Sequence, residues 1–371
     1  SMPQCITVHF QTTRRNVKAR LPKYNARELC ANFDPSSYDV MSFVDSVRTQ
    51  NYEDALKRKA AGAVVLDIGT GGNATLAIAA LKAGASFVLA FEINKDAVRA
   101  AAKAIRKHLG VDADRRTSTT SAVVLKLPEI WLVSGDATQT CSNKEVKRKL
   151  REVSTTRNVI IAHELLDDFA TGEDVAGIVG SVQQSLKSVF GAKFLPWSVP
   201  NRACTVACPL SVEAGLSIEL SGQMTFSSCA IFTHDDLPTH WYHGKPQALE
   251  SIEFEPSGRE MTGDVCAIDC GNPVRFSFTR PVHAMALNLT IDFGSGCVYD
   301  VRKEETSNWR SVIIGIPNSL QLGVRGSFSV QMDVFRSQDL QMAYTFKFIN
   351  LQTKNVGQVH IDQRDLISVM M

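Results

Sequence analysis

A surplus of either charge is missing from this chain: forty lysines and arginines face thirty-eight acidic residues, leaving a formal charge of +2. No broad one-signed field is available to hold nucleic acid or an anionic membrane, so neither is an expected partner. Apolar runs of membrane length are also missing. The most apolar stretch, Ala74 to Phe91, is interrupted by Lys82, Gly84 and Ser86 and reads as a buried helix followed by a buried strand. Zinc-type spacing is lacking too, because the nine cysteines are odd in number and Cys204/Cys208 and Cys266/Cys270 are too widely spaced for a knuckle. Free thiols in a reducing setting, cytoplasmic or also nuclear, and no metal are the expectation. With 44% hydrophobic and 21% charged residues, disorder, collagen and coiled coil are excluded as whole-chain descriptions, and no fixed-period repeat stands out.

Three textures follow one another. Residues 1–61 combine a basic arm, Arg14, Arg15, Lys18, Arg20, Lys23 and Arg27, with an amphipathic helical lid over a cofactor, whose apolar face is Met41, Phe43, Val44, Val47, Tyr52 and Leu56. The arm reads as solvated rather than as a targeting leader, and the opening Ser1-Met2 reads as an expression scar at a shortened start. From 62 to 197, strand-like and helical runs alternate: AVVLDIG, NATLAIAALKAG, SFVLAFE, KDAVRAAAKAIRKHLG, IWLVSGD, NVIIAHE and EDVAGIVGSVQQSLKSVF. That alternation predicts a Rossmann-like α/β domain, a parallel sheet with helices on both faces. From 198 to 371, runs such as VRFSFT, MALNLTIDF, SFSVQMDVF and MAYTFKFINL predict an all-β sandwich or barrel. The segment 213–246 fits neither pattern and reads as an excursion from that domain.

In VVLDIGTGGNATLA, Asp67 and the glycines Gly69, Gly71 and Gly72 stand where a buried strand hands over to a helix. Glycine there allows a sharp turn and a close approach to a ligand. Glu92 ends the next strand, a place from which a carboxylate accepts both ribose hydroxyls of an adenosine. Asp67 before the glycines would repel a pyrophosphate but suits the ammonium of a methionine moiety, which favours S-adenosylmethionine over a dinucleotide. Asp136 and Ala137 follow the third strand, where a carboxylate and the next amide can pair with adenine; an N-cap role for Asp136 is compatible.

The fourth strand runs into Glu164-Leu165-Leu166-Asp167-Asp168-Phe169-Ala170-Thr171-Gly172-Glu173. Glu164 and Glu173 flank a hairpin-length segment. Converging carboxylates repel unless one keeps a proton, whereas a guanidinium's planar fork satisfies both. A guanidinium clamp, a solvated acidic loop and a metal site remain open on these residues.

ELLDDFATGE resembles the double-glutamate loop of the protein arginine methyltransferases, and DSVRTQNYEDAL, VLDIGTGG, AFE and VPNRA match that family's motifs in order across nearly the whole chain. The resemblance implies a class I methyltransferase domain followed by a β-barrel, with S-adenosyl-L-methionine as cofactor and S-adenosyl-L-homocysteine as product. It casts Arg48 on the cofactor carboxylate, Tyr38 in the cofactor lid, and Glu164 and Glu173 on the substrate guanidinium; Glu173 is the favoured proton acceptor, although the sequence does not distinguish it from Glu164. Asp167 and the SSYDV run around Tyr38 are similar to the seventh, monomethylating type III branch.

The family's Thr-His-Trp loop has two candidates. Thr239-His240-Trp241 has the letters but lies early; Ser307-Asn308-Trp309-Arg310 lacks threonine and histidine but precedes SVIIGIPNSLQLGVRGSFSV, similar to the family's following strands. Context favours Trp309, with Asn308 and Asp167 beside it limiting the substrate pocket. The resemblance further implies arginine-bearing protein substrates, glycine/arginine-rich, RNA-binding or histone-like, and a homodimer built through a dimerisation arm at 213–246. Competing expectations are a silent methyltransferase-fold partner subunit and a class I methyltransferase for another acceptor.

Overall fold

The computed structural model describes residues 45–111, 122–154, 158–166, 169–191, 194, 196–211, 229–232, 239–254, 267–304, 309, 311–336 and 342–362. Tyr38, Asp167, Asn308, the basic arm and residues 213–228 and 233–238 of the anticipated dimerisation segment lie outside them, as does the side chain of Glu173.

Helix α1 (Ser46–Lys59) begins where the Asp45 carboxylate accepts the Arg48 amide, and ends in Lys57, Arg58 and Lys59, whose charges complement the helix dipole. Its inward stripe is Arg48, Tyr52, Ala55 and Leu56. The sequence places Val47 on that stripe, yet Val47 is 39% exposed and Arg48 is buried instead. The stripe turns because Arg48 finds counter-charges on other elements.

Strands β1 (Val64–Ile68), β2 (Phe87–Glu92), β3 (Val123–Lys126), β4 (Ile130–Ser134), β5 (Val159–His163) and β6 (Trp197–Val199) form one sheet in the order β3-β4-β2-β1-β5-β6. Every residue of β1, β2 and β5 is buried, which requires cover on both faces. Helices α2 (Thr75–Lys82), α3 (Lys95–Leu109), α4 (Ala137–Thr140), α5 (Lys144–Ser154) and α6 (Val175–Phe190) supply the crossovers. The Ala74–Phe91 stretch is thus α2 followed by β2. One expectation is corrected: the sheet is mixed, because β3 runs antiparallel to β4. The intervening Pro128-Glu129 turn, closed by Leu127 N–H to Ile130 O at 2.9 Å, leaves no room for a crossover helix.

β6 joins the first sheet, and a cis Val199–Pro200 bond follows. The second domain has two antiparallel sheets. One contains β7 (Arg202–Leu210), β8 (Cys229–Phe232), β9 (Gln247–Glu253), β10 (Ala267–Cys270), β12 (Ala284–Asp292), β13 (Val298–Asp300) and β14 (Ser311–Gly315); the other contains β11 (Val274–Phe278), β15 (Gly326–Arg336), β16 (Met342–Asn350) and β17 (Val356–Asp362). Gly271 N–H donates to Met332 O at 2.9 Å, joining one sheet to the other. Phe276, Phe328, Phe346, Phe348, Met285 and Leu287 fill the barrel.

Within 213–246, β8 pairs with β14 and Trp241 is buried against Leu210, Ala284 and Ile313. Those parts belong to the barrel. The two domains share one apolar core, in which Ala203, Ile252, Leu289, Phe293, Tyr299 and Trp309 join the sheet domain's residues. The described cysteines, Cys141, Cys204, Cys208, Cys270 and Cys297, are unbridged.

Candidate functional site

β1 is central, and its neighbours β2 and β5 connect to opposite sides of the sheet, so a crevice opens beyond its carboxyl end. The glycine loop fills that position. Gly69 and Thr70 donate their amides to Phe91 O at 3.0 and 2.9 Å, bending the chain over β2. Gly69 has φ +76°, and a Cβ there would come within 2.9 Å of Leu165 Cδ2. The positive φ favours glycine there, and the side chain of Leu165, the residue following Glu164, rests on the loop.

Asp67 is fully buried. Its Oδ2 accepts the Thr70 hydroxyl at 2.6 Å, while Oδ1 has no hydrogen-bond partner among the described residues. Burial pushes this carboxyl up to about 7, with Glu92 and Glu164 adding to the effect and Thr70 opposing it. In its ionised form this buried carboxylate is suited to an incoming ammonium group.

Glu92 anchors the crevice's second wall, its Oε2 accepting Gly71 N–H at 2.9 Å and Oε1 accepting Asn94 N–H at 2.7 Å. Gly135 N–H donates to Glu92 O at 2.9 Å, tying the end of β4 to β2. Asp136 caps α4, accepting Thr138 N–H at 2.8 Å and the Thr138 hydroxyl at 2.7 Å, and Ala137 is buried behind it. A buried acid for an ammonium, a strand-end carboxylate for a ribose edge and a capped loop for a base together fit a methionine-linked adenosine.

Arg48 and Glu164, given separate roles by resemblance, meet each other. Arg48 Nε lies 2.7 Å from Glu164 Oε1, a charge contact whose N–H is not aligned on the oxygen. The Trp309 ring covers the guanidinium at 4.9 Å, and Trp309 Nε1 donates to Leu166 O at 2.9 Å. Trp241 packs into a separate apolar cluster, so of the two tryptophan loops only that of Trp309 reaches this pair. Burial raises the Glu164 carboxyl, Arg48 opposes that rise and Asp45 adds to it.

Several participants escape sequence reasoning. Asp45 Oδ2 accepts the Tyr299 hydroxyl at 2.8 Å, linking the start of α1 to the barrel, and the Tyr299 ring stands edge-on to Trp309 at 5.6 Å. The Tyr52 hydroxyl is buried beside the pair without a hydrogen-bond partner among the described residues; burial foremost, then Glu164, holds its pKa well above the usual phenol value, with Arg48 opposing. His163, the residue before Glu164, is buried with its ring edge-on to Phe254 at 4.5 Å, and burial lowers its pKa to about 3. Tyr52 carries a local signal as part of the helix's apolar face and Asp45 one as an Asp preceding a helix; Tyr299 and His163 carry none that points to the site.

Downstream of Glu164, Phe169 stacks on Tyr344 at 4.2 Å and Ala170 N–H donates to Thr205 Oγ1 at 2.8 Å. Thr171 donates its amide and hydroxyl to the two oxygens of Glu250 at 3.2 and 2.8 Å. A 3-10 turn, Gly172–Asp174, carries the Glu173 backbone into α6. Among the described residues no group of three metal-ligating side chains occurs.

Residues 49–124 match the family model described as ribosomal protein L11 methyltransferase (PrmA). No curated protein matches the chain by sequence. In fold the chain is similar to the Trypanosoma brucei PRMT1 enzyme–prozyme heterotetrameric complex with AdoHcy: TM-score 0.59, 16% identity, 89% of this chain and 99% of that one covered. It is similar to PRMT6 as well, with TM-score 0.60, 13% identity and 88% and 99% covered. The Arabidopsis thaliana protein arginine methyltransferase 10 aligns with TM-score 0.57 and 13% identity over 88% and 97%. At these identities the likeness is one of fold: a Rossmann-like class I methyltransferase domain followed by a β-barrel domain.

Proposed function

We propose that the chain is an S-adenosylmethionine-dependent protein arginine N-methyltransferase that forms monomethylarginine, the type III product. The observation that carries this reading is the Glu164 carboxylate held against a guanidinium, that of Arg48, beneath Trp309 and beside the glycine loop. A site that already accommodates one guanidinium on this carboxylate has the charge and the aromatic wall that a substrate arginine needs.

When bound, S-adenosylmethionine supplies an electrophilic methyl group. Asp67 holds the ammonium, Arg48 the carboxylate, Glu92 the ribose hydroxyls, and Asp136 with the Ala137 amide the adenine, while Gly69 and Gly71 permit close approach and Tyr38 closes the lid. Glu164 and Glu173 grip the substrate guanidinium, which stays protonated at physiological pH and is a poor nucleophile until its charge is drawn to one side. Glu173 accepts the proton released as the nitrogen is methylated. Asp167, Asn308 and Trp309 limit the space beside that nitrogen, so a methylated arginine no longer fits.

Arginines in glycine/arginine-rich, RNA-binding or histone-like proteins are the substrate class, met in the cytoplasm and nucleus. The working form is a homodimer joined through an arm within residues 213–246, of which residues 229–232 and Trp241 belong to the barrel.

The test is intact-mass analysis of an arginine-glycine-rich peptide after incubation with the protein and S-adenosylmethionine, with an arginine-to-lysine control. One methyl per arginine is the expected result. Dimethylation would keep the reaction and overturn the type III assignment. Cofactor binding with no transfer to this peptide or to histone tails would overturn arginine methylation in favour of a silent partner or another acceptor.

A further inference from the structure

Glu250 is a carboxylate in an unusual place. It lies on β9, where Thr205 pairs with Glu250 but Val206 pairs with Ala248, so Leu249 is an extra residue in the strand. Such a bulge re-aims side chains. Leu249 packs into the barrel core, and Ile252 packs into the core shared with the sheet domain. Glu250, two residues from Ile252, shares its face. It is 1% exposed.

An ionised carboxyl so far from water is costly unless donors surround it. Here Oε1 accepts the Thr205 hydroxyl at 2.5 Å and the Thr171 amide at 3.2 Å, and Oε2 accepts the Thr171 hydroxyl at 2.8 Å. Thr205, having donated its proton to Glu250, accepts Ala170 N–H at 2.8 Å. Two consecutive amides of the segment between Glu164 and Glu173 are therefore satisfied by two neighbouring barrel strands, β7 and β9, rather than by their own domain. The Phe169 ring, stacked on Tyr344, fixes the same segment from its apolar side. Burial raises the Glu250 carboxyl and the hydroxyl and amide donors lower it, so the donors also offset part of the burial cost.

We propose that Glu250 is a positioning residue that fixes, across the domain junction, the loop presenting Glu164 and Glu173 to the substrate guanidinium. The proposal deepens the arginine methyltransferase reading and rests on it for its catalytic consequence. Its physical content is independent of that reading: without Glu250, the Thr171 amide and the Thr205 hydroxyl lose their acceptor, the Thr171 hydroxyl keeps only the Tyr344 hydroxyl at 3.4 Å, and the loop loosens at residues 170–172. Glu250→Gln keeps an oxygen for the Thr171 amide and a polar group facing the Thr171 hydroxyl, which can rotate to accept. Glu250→Ala keeps neither.

Hydrogen-exchange mass spectrometry decides the positioning claim in the full chain. In Glu250→Ala, peptides spanning residues 166–175 are expected to exchange at least about tenfold faster while β1 and β2 peptides are unchanged, with Glu250→Gln close to wild type. In parallel, kcat for methyl transfer to the arginine-glycine peptide is expected to fall about 100-fold in Glu250→Ala. S-adenosylhomocysteine affinity should stay within about threefold, and Glu250→Gln should recover most of the rate. Unchanged loop exchange in Glu250→Ala overturns the proposal, as does faster exchange spread evenly over both domains or a Gln variant no better than Ala. If Glu250→Ala does not fold, Thr171→Val serves, since it removes one hydroxyl and keeps the amide bond; faster exchange confined to the loop supports the proposal and unchanged exchange overturns it. A wild-type protein that transfers no methyl group while the exchange arm behaves as stated would sink the functional reading and leave the positioning role standing.

Discussion

Arg48 Nε and Glu164 Oε1 lie 2.7 Å apart, so the residue assigned to the cofactor carboxylate and the residue assigned to the substrate guanidinium are direct neighbours. The pair couples the two halves of the proposed reaction. Cofactor that engages Arg48 competes for a guanidinium that Glu164 already holds, and a substrate arginine competes for Glu164.

Mutations at the two positions are therefore expected to be non-additive. Glu164→Gln should lower methyl transfer at least about 100-fold, while S-adenosylhomocysteine affinity changes less than about tenfold because Asp67 and Glu92 are untouched. In a double-mutant cycle with Arg48→Lys, followed by titration calorimetry, the coupling in cofactor binding should be about 0.5–3 kcal/mol. Additivity to within about 0.3 kcal/mol would mean that the contact carries no energy.

Tyr299→Phe should weaken both the fold and cofactor binding. It removes the hydroxyl that donates to Asp45 at 2.8 Å and leaves a fully buried carboxylate with one donor fewer. The expected loss in urea unfolding is about 1–3 kcal/mol. Because Asp45 also caps the helix that carries Arg48, S-adenosylhomocysteine affinity should drop as well. Unchanged affinity would separate the barrel from the lid helix.

Much of this architecture is legible in the sequence because it is written locally. Alternating strand and helix periods give the sheet domain, and a strand that ends in Asp-Ile-Gly-Thr-Gly-Gly marks the crevice. What escapes is whatever depends on partners from elsewhere in the chain. The run VVLKLPEI folds back as an antiparallel edge because its turn is too short to be noticed beside longer helical signals. Arg48 reads as the polar neighbour of Val47, and only Glu164 and Trp309, from other elements, explain why the arginine is the buried one. Glu250 sits in QALESIE, where alternation makes a glutamate look solvent-facing; its donors lie on the far side of the domain junction. Tyr299 in CVYDV looks like an ordinary strand aromatic until Asp45 is placed against it.

Cofactor binding should depend on pH through Asp67. Its carboxyl is held up to about 7 in the ligand-free protein, so below that pH it carries a proton and cannot pair with an ammonium group. S-adenosylhomocysteine affinity is expected to fall as the pH drops from 7 toward 5, by up to about tenfold per unit, with a proton released on binding. Calorimetry in buffers of different ionisation enthalpy measures that release. Asp67→Asn should bind weakly and without this pH dependence; an unaltered pH profile in that variant would remove Asp67 from the ammonium site.

Asp67 and His163 should pull stability in opposite directions on acidification. His163 has its pKa lowered to about 3 from 6.5, so between those values the unfolded chain binds a proton that the folded chain refuses, and stability from this residue falls as the pH drops. Asp67 is raised from 3.8 to about 7, so in that interval the folded chain holds a proton that the unfolded chain has released, and stability from this residue rises as the pH drops. Each contributes a slope of up to about 1.4 kcal/mol per pH unit, and the two nearly cancel between their shared limits. His163→Leu should unmask the Asp67 slope, gaining stability relative to wild type as the pH is taken from 6.5 to 4.5, whereas Asp67→Asn should lose it. Urea midpoints of the three proteins at pH 4.5, 5.5 and 6.5 measure this directly. A His163→Leu difference from wild type that stays constant across the series would show that His163 binds its proton equally in the folded and unfolded chains, and that burial does not lower its pKa.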